Sequence, residues 1–204
     1  MDYNKLASEA SIKKTMKALK GRGIDAEFVK TREEALKRLV ESIPEGAEIM
    51  TGGSTTLEEI GFVDLLKSKR HKWKNLKDEL LAEKDSEKQA ELRKRSVTSE
   101  YFIGSVHAVA ETGEVLVASA SGSQIPAYSF SSDNIIWIVG AQKIVPTAED
   151  AFRRVREHSL PLEDKRMKSI GYSGSTIGKL LVFEREILPN RKIRLIFVNE
   201  KLGF

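Results

Sequence analysis

A strand, a capped helix and a second strand follow one another between Ala26 and Thr51 with almost no linker between them. Ala26–Lys30 reads as a short strand. Thr31 opens a helix, and Glu34 three residues on completes a capping box. Leu36, Leu39, Val40 and Ile43 recur at i, i+3, i+4 and i+7, which commits one face of that helix to a core. Pro44-Glu45-Gly46 supplies a turn and Ala47–Thr51 the next strand. Strand, helix and strand joined this tightly imply a right-handed crossover and a mainly parallel sheet.

The rest of the chain extends that pattern. Asn4–Lys20 reads as a helix carrying Leu6, Ile12, Met16 and Leu19, stopped by Gly21 and Gly23. Residues 64–100 form a long, charged helical excursion with Trp73, Leu76 and Leu80 on one stripe. Its basic cluster, Lys67–Lys74, is read first as a solvated face because acidic residues follow at once. Tyr101–Ala110 and Glu114–Ser119 are β-rich runs reversed at Thr112-Gly113, a hairpin signal. Asn134–Gly140 (NIIWIVG) is continuously apolar, as a strand buried on both faces should be. Pro146-Thr147 starts a helix with Ala148, Ala151, Phe152 and Val155 at helical spacing. Leu180–Phe183 and Ile193–Val198 are the last strands, with Pro189-Asn190 between them.

At about 150 residues per domain, 204 residues fit a single α/β domain, 1–204, with the excursion inside it. The chain has no cysteine, which excludes disulfides, thiolate nucleophiles and cysteine-ligated zinc or iron–sulfur clusters within it. The 34 Lys+Arg and 30 Asp+Glu are interleaved, so a net +4 does not point to nucleic acid. Met1–Lys14 carries charges where a signal peptide needs an apolar core. The longest apolar stretch, Ile135–Ala141, falls well short of the roughly 20 residues of a membrane span. The expected setting is cytoplasmic, with neither membrane nor nucleic acid as partner; a homo-oligomer stays open.

The strongest chemical signal is Gly52-Gly53-Ser54-Thr55-Thr56 at the end of the second strand. Two glycines permit close approach of backbone to a ligand, and the following helix aims its free N–H groups at the same point. That combination suits a phosphate or carboxylate. It is no Walker A loop, since the closing Lys is missing. The plainer reading is a cap alone, with Ser54 or Thr55 capping the helix and Glu58 completing a box with Thr55. A second small-residue loop, Ala118–Gln124, follows another strand, and Ser121, Gly122, Ser123 and Gln124 are its ligand candidates. Loops at strand carboxyl ends converge on the usual ligand crevice of an open α/β sheet. The same stretch also reads as a turn into a Pro126–Phe130 helix. Gly171–Lys179 is a third glycine-bearing loop, but its spacing departs from GxGxxG and no clear strand precedes it.

Of the three histidines none forms an i, i+4 pair, and no carboxylate cluster has metal-ligand spacing, so no metal or cofactor is expected. His107 and Glu111 are weak candidates for proton transfer; hydrogen bonding near a strand end is the blander role. Lys143 either approaches the crevice or leaves the buried strand for solvent.

These segments, in this order, resemble the LUD domain family, which includes lactate-utilisation protein C. The markers are Gly23–Leu36, Ile43–Gly46, Gly52–Phe62, the stretch from Ser105 to Gly113, the loop ending at Gln124, Ile138–Val145 and Ile196–Phe204. The resemblance implies a Rossmann-like α/β fold, akin to ribose-5-phosphate isomerase and CoA transferases, and a role near oxidation of L-lactate to pyruvate beside iron–sulfur partner proteins. Where many stand-alone members have Asp-Gly-x-Gly-Asn-Arg, this chain has Ser119–Gln124, without the Asp and Arg. Gly171–Lys179 stands where members often carry a Cys-rich motif.

The expectation is a protein that binds a small anionic metabolite and assists lactate oxidation with no redox centre of its own. One alternative is a transferase or isomerase acting on a phosphorylated or CoA-linked substrate. Another is an interaction module that docks onto a redox partner through residues 64–100.

Overall fold

The computed structural model describes all 204 residues. Its strands are β1 (Ile24–Val29), β2 (Glu48–Thr51), β3 (Lys74–Asn75), β4 (Tyr101–Gly104), β5 (Ala108–Ala110), β6 (Val115–Ser119), β7 (Asn134–Gly140), β8 (Ile144–Val145), β9 (Lys179–Phe183) and β10 (Lys192–Val198). The α-helices are α1 (Glu9–Gly21), α2 (Arg32–Glu41), α3 (Thr55–Glu59), α4 (Phe62–Lys67), α5 (Leu76–Ala82), α6 (Ser86–Arg95), α7 (Ala148–Arg154) and α8 (Leu160–Ser169).

Six strands form one sheet in the order β1-β10-β7-β4-β2-β3, and every neighbouring pair is parallel. This is a Rossmann-like α/β arrangement with helices on its faces. Although β1 and β2 are joined through α2 alone, β10, β7 and β4 lie between them. The alternating side chains of β7 explain its unbroken apolar sequence. Ile135, Trp137 and Val139 enter one core with Ile12 and Leu19 of α1, while Ile136 and Ile138 enter another with Ala35 and Leu39 of α2. Both faces are covered, so neither set of positions tolerates a polar residue.

A smaller sheet, β8-β5-β6-β9, packs against the first core through Val109, Val115 and Val117. The Thr112-Gly113 reversal is present: β5 and β6 are antiparallel, and Gly113 takes φ 99°, a backbone region that favours glycine. The run Tyr101–Ala110 is not one strand. It breaks after Gly104, where the Tyr128 hydroxyl occupies the space a Cβ would need, and its two halves join different sheets.

Residues 64–100 differ from a single helical stripe. The chain makes the two-residue edge strand β3 and then restarts at Asn75, whose side chain caps α5. Trp73 therefore packs on the α2 side, donating from Nε1 to Ile43 O at 3.3 Å, while Leu76 and Leu80 enter the opposite core. Lys69 and Lys72 of the basic cluster pair with Asp78 and Glu45. The first helix also starts later than its sequence suggests. Ser8 caps it by accepting from Ser11 N, which leaves Leu6 outside and exposed. The helix after Pro146 runs on from α7 to α8 through a π-helical turn, Val155–Ser159. Such turns often mark functional positions. No helix is long and apolar enough to cross a membrane.

Candidate functional site

Because the large sheet is parallel, the carboxyl ends of β2, β4, β7 and β10 lie on one side, and each hands on directly to a loop. After β2 comes Gly52–Ser54, after β4 Ser105–His107, after β7 the turn Ala141–Lys143, and after β10 the segment 199–204. These loops meet the Ala118–Gln124 loop of the smaller sheet, one face of α8 and residues 175–177 around a cavity of about 310 Å³. All of Gly52, Gly53, Ser54, Thr55 and Thr56 line it, as do Ser123 and Gln124; Ser121 and Gly122 stand outside it. Gly171–Lys179 does reach the cavity, through Ser175, Thr176 and Ile177.

The Gly52–Thr56 loop is held in place from behind. Lys77 donates from Nζ to Thr51 Oγ1 at 3.3 Å and to Gly52 O at 3.2 Å. Ser54 is the N-cap of α3, accepting from Leu57 N at 3.3 Å. Glu58 makes no reciprocal bond back to the cap and instead lines the cavity, so the expected capping box does not form. The main-chain N–H groups of Gly52, Gly53, Ser54, Thr55 and Thr56 donate to no acceptor within the protein. Helix α3 has only five residues, so its dipole is small. What this corner presents is therefore the amides themselves rather than a helix dipole. Gln124 closes the opposite side, its amide oxygen lying where a Cβ on Gly52 would point. A Cβ on Gly53, by contrast, would meet nothing within 4 Å.

Lys143, whose direction the sequence leaves open between crevice and solvent, turns inward. It is 3% exposed, and its Nζ lies 3.1 Å from each of Thr56 Oγ1, Ser105 Oγ and Val106 O. Burial, followed by the nearby Arg154 guanidinium, pushes this amine well below its usual range; Glu59 opposes the shift. Burial above all, with the neighbouring Lys143 and Arg154 side chains, likewise lowers His107 to about 3, so its imidazole is neutral near pH 7. His107 Nδ1 accepts from Ala118 N at 3.1 Å, which leaves the imidazole proton on Nε2. Arg154 is fully buried and donates to His107 O and, at 3.0 Å, to Ser159 Oγ within the π-helical turn. It thereby ties the β4 loop to the long helix.

Besides the neutral His107, the titratable side chains lining the cavity are Lys143, Arg166, Glu58 and Glu163. Glu163 holds Arg166 through two bonds of 2.7 Å. With Lys143 shifted towards its uncharged form, Arg166 stands against Glu58 and Glu163, so net charge does not itself favour an anion, and the groups that could favour one are the main-chain amides. Glu111 is elsewhere. It does not line the cavity, and its carboxylate accepts from Ser11 Oγ at 2.5 Å and Lys14 Nζ at 2.8 Å, contacts that lower its pKa. Of the two proton-transfer candidates, only His107 stands where a ligand would be.

Fold and cavity together define an α/β protein of Rossmann-like organisation whose polar pocket sits at the carboxyl ends of its parallel strands. The family model for the LUD domain matches residues 12–179, and the chain belongs to that family. It is similar in structure to a DUF162 family protein from Deinococcus radiodurans, with a TM-score of 0.58 and 11% identity over 96% of this chain and 100% of that one. At that identity the likeness speaks for the fold. No curated protein matches the chain.

Proposed function

We propose that this LUD-domain protein binds a small anionic metabolite, a carboxylate or phosphate, in the strand-end cavity and so assists oxidation of L-lactate to pyruvate without a redox centre of its own. Family membership supports a role related to lactate utilisation. The observation that carries the binding step is the row of amides from Gly52 to Thr56, free of protein acceptors, on residues that line a cavity of about 310 Å³. Backbone amides grouped in this way stabilise negative charge at low reorganisation cost, because the loop already holds them. Electron transfer in this reading falls to an iron–sulfur partner.

Thermal-shift titrations with L-lactate, pyruvate, inorganic phosphate and a CoA thioester test the binding step. A bound anion raises the melting temperature by mass action. Gly53→Leu should leave the unliganded melting temperature within a few degrees, since a Cβ there meets nothing within 4 Å, and should abolish the shift. No shift with any of the four anions would sink the reading.

The enzymatic alternative, a transferase or isomerase, loses Glu111 as its acid–base group. It gains Lys143, a buried lysine among the residues that line the cavity.

A further inference from the structure

We propose that Lys143 is a nucleophilic amine that condenses with the carbonyl carbon of a 2-oxo carboxylic acid whose carboxylate rests on the Gly52–Thr56 amides. This deepens the anion-binding reading and rests on it.

Three features of the geometry converge. First, Nζ has no carboxylate partner: its three neighbours are the hydroxyls of Thr56 and Ser105 and the carbonyl of Val106. A hydroxyl can donate into an amine lone pair, so this shell accommodates the free base, whereas an ion pair would hold the ammonium. Second, Lys143 is among the residues that line the cavity despite its burial. Third, amine and cradle are adjacent. The position a Cβ on Gly203 would take overlaps Thr56 Oγ1 and lies 3.2 Å from Thr56 N and 3.3 Å from Lys143 Nζ, so the last amide of the row and the amine are close neighbours packed against the same glycine. In a 2-oxo acid the carbonyl carbon is bonded directly to the carboxylate carbon. An anion seated on the amides would thus present its carbonyl to Nζ, whereas a carbonyl group several bonds from its anion would overshoot. Burial and Arg154 favour the uncharged amine, with Glu59 as the opposing charge and the neutral His107 beside it.

The step balances without an oxidant or reductant. The Nζ lone pair attacks the carbonyl carbon, and the C=O π pair moves to oxygen. One proton passes from nitrogen to that oxygen, for which the Thr56 and Ser105 hydroxyls are placed as relays, giving a carbinolamine. Taking up one further proton, the oxygen leaves as water, and a protonated C=N bond remains. A positively charged imine withdraws electrons from its neighbouring carbons, which is the chemical advantage of a buried lysine of lowered basicity.

The test is reductive trapping of the full-length protein with pyruvate and sodium borohydride, followed by intact-mass measurement and peptide mapping. The expected result is one adduct per chain, equal in mass to pyruvate less one water plus two hydrogens, mapped to Lys143. L-Lactate, which has no carbonyl, should give none, and acetaldehyde, which has no carboxylate, should give no preference for Lys143. Lys143→Arg should lose the adduct. Should that variant fail to fold, the mapping on the unaltered protein still decides. Absence of an adduct, or adducts scattered over surface lysines, would overturn the proposal. If L-lactate or phosphate still raises the melting temperature in that case, the anion-binding reading stands while the covalent step falls. If neither occurs, both fall.

Discussion

Lys143 Nζ and Thr56 Oγ1 stand 3.1 Å apart, although the strands that deliver them, β7 and β2, are separated by β4. The contact bridges two strand-end loops across a third and fixes where the amide row lies relative to the amine. Thr56→Val keeps the side-chain shape and removes the hydroxyl. With a buried amine losing one of three partners, stability should fall by about 1–3 kcal/mol. Thr56→Ser should recover most of it, as measured by urea denaturation.

His107 gives a pH signature. Its pKa is about 3 in the folded chain, chiefly because of burial and also because of the neighbouring Lys143 and Arg154 side chains, against about 6.5 when unfolded. Between those values the unfolded state binds the extra proton, so stability is present above about pH 6.5 and declines as pH falls towards 3. Denaturant midpoints at pH 7, 5 and 4, compared with His107→Gln, should show a gap in favour of the unaltered protein that narrows or reverses with acid. A gap that does not change with pH contradicts the assignment.

Gly203 is a different kind of constraint. Its φ of +59° favours glycine, and a Cβ there would run into Thr56 Oγ1 and press on Lys143 Nζ. Gly203→Ala should lower stability by about 1–3 kcal/mol through backbone strain plus the clash. Gly46→Ala is the matched control, since Gly46 has φ +81° and nothing within 4 Å of its Cβ position. It should show the backbone part alone, and only Gly203→Ala should weaken pyruvate trapping.

The ion pair of Arg191 and Glu186, 2.6 Å long with side chains 2% and 7% exposed, anchors a neighbouring region. Arg191 also donates to the carbonyls of Ala127, Tyr128, Ser129 and Ser132, which fixes the π-helical turn following the Gln124 loop. Arg191→Met strands a buried carboxylate and should cost about 3–5 kcal/mol. Adding Glu186→Gln should return part of that loss in a double-mutant cycle.

Local chemistry was legible in the sequence and distant chemistry was not. Thr31 caps α2 as its spacing suggests, with Glu34 N donating to Thr31 Oγ1 at 3.3 Å, because such a cap is contained within four consecutive residues. The NIIWIVG strand and the Gly52–Thr56 loop were readable for the same reason, since their patterns are contained within one segment. Lys143 was undecided because its direction depends on Thr56 and Ser105, which are 87 and 38 residues away. The arrival of Ser175–Ile177 at the cavity has no local signature either; the path of the chain from α8 into β9 sets it. Glu111 misled because its proximity to His107 in the chain is undone by the hairpin and by Lys14 of α1. Trp73 misled because a two-residue strand interrupts what looked like one helical stripe.

That interruption governs how the sheet ends. The outermost strand, β3, offers only Lys74 and Asn75, with Lys74 exposed and Asn75 turned at once into a helix cap. An incoming strand from another molecule would find too few free backbone groups there to nucleate a ladder, and a cation at the point of approach. The charged segment that follows β2 thus acts as a guard against self-templating growth at this margin, which lets the parallel sheet keep an interior as apolar as β7 without inviting fibrils from that side.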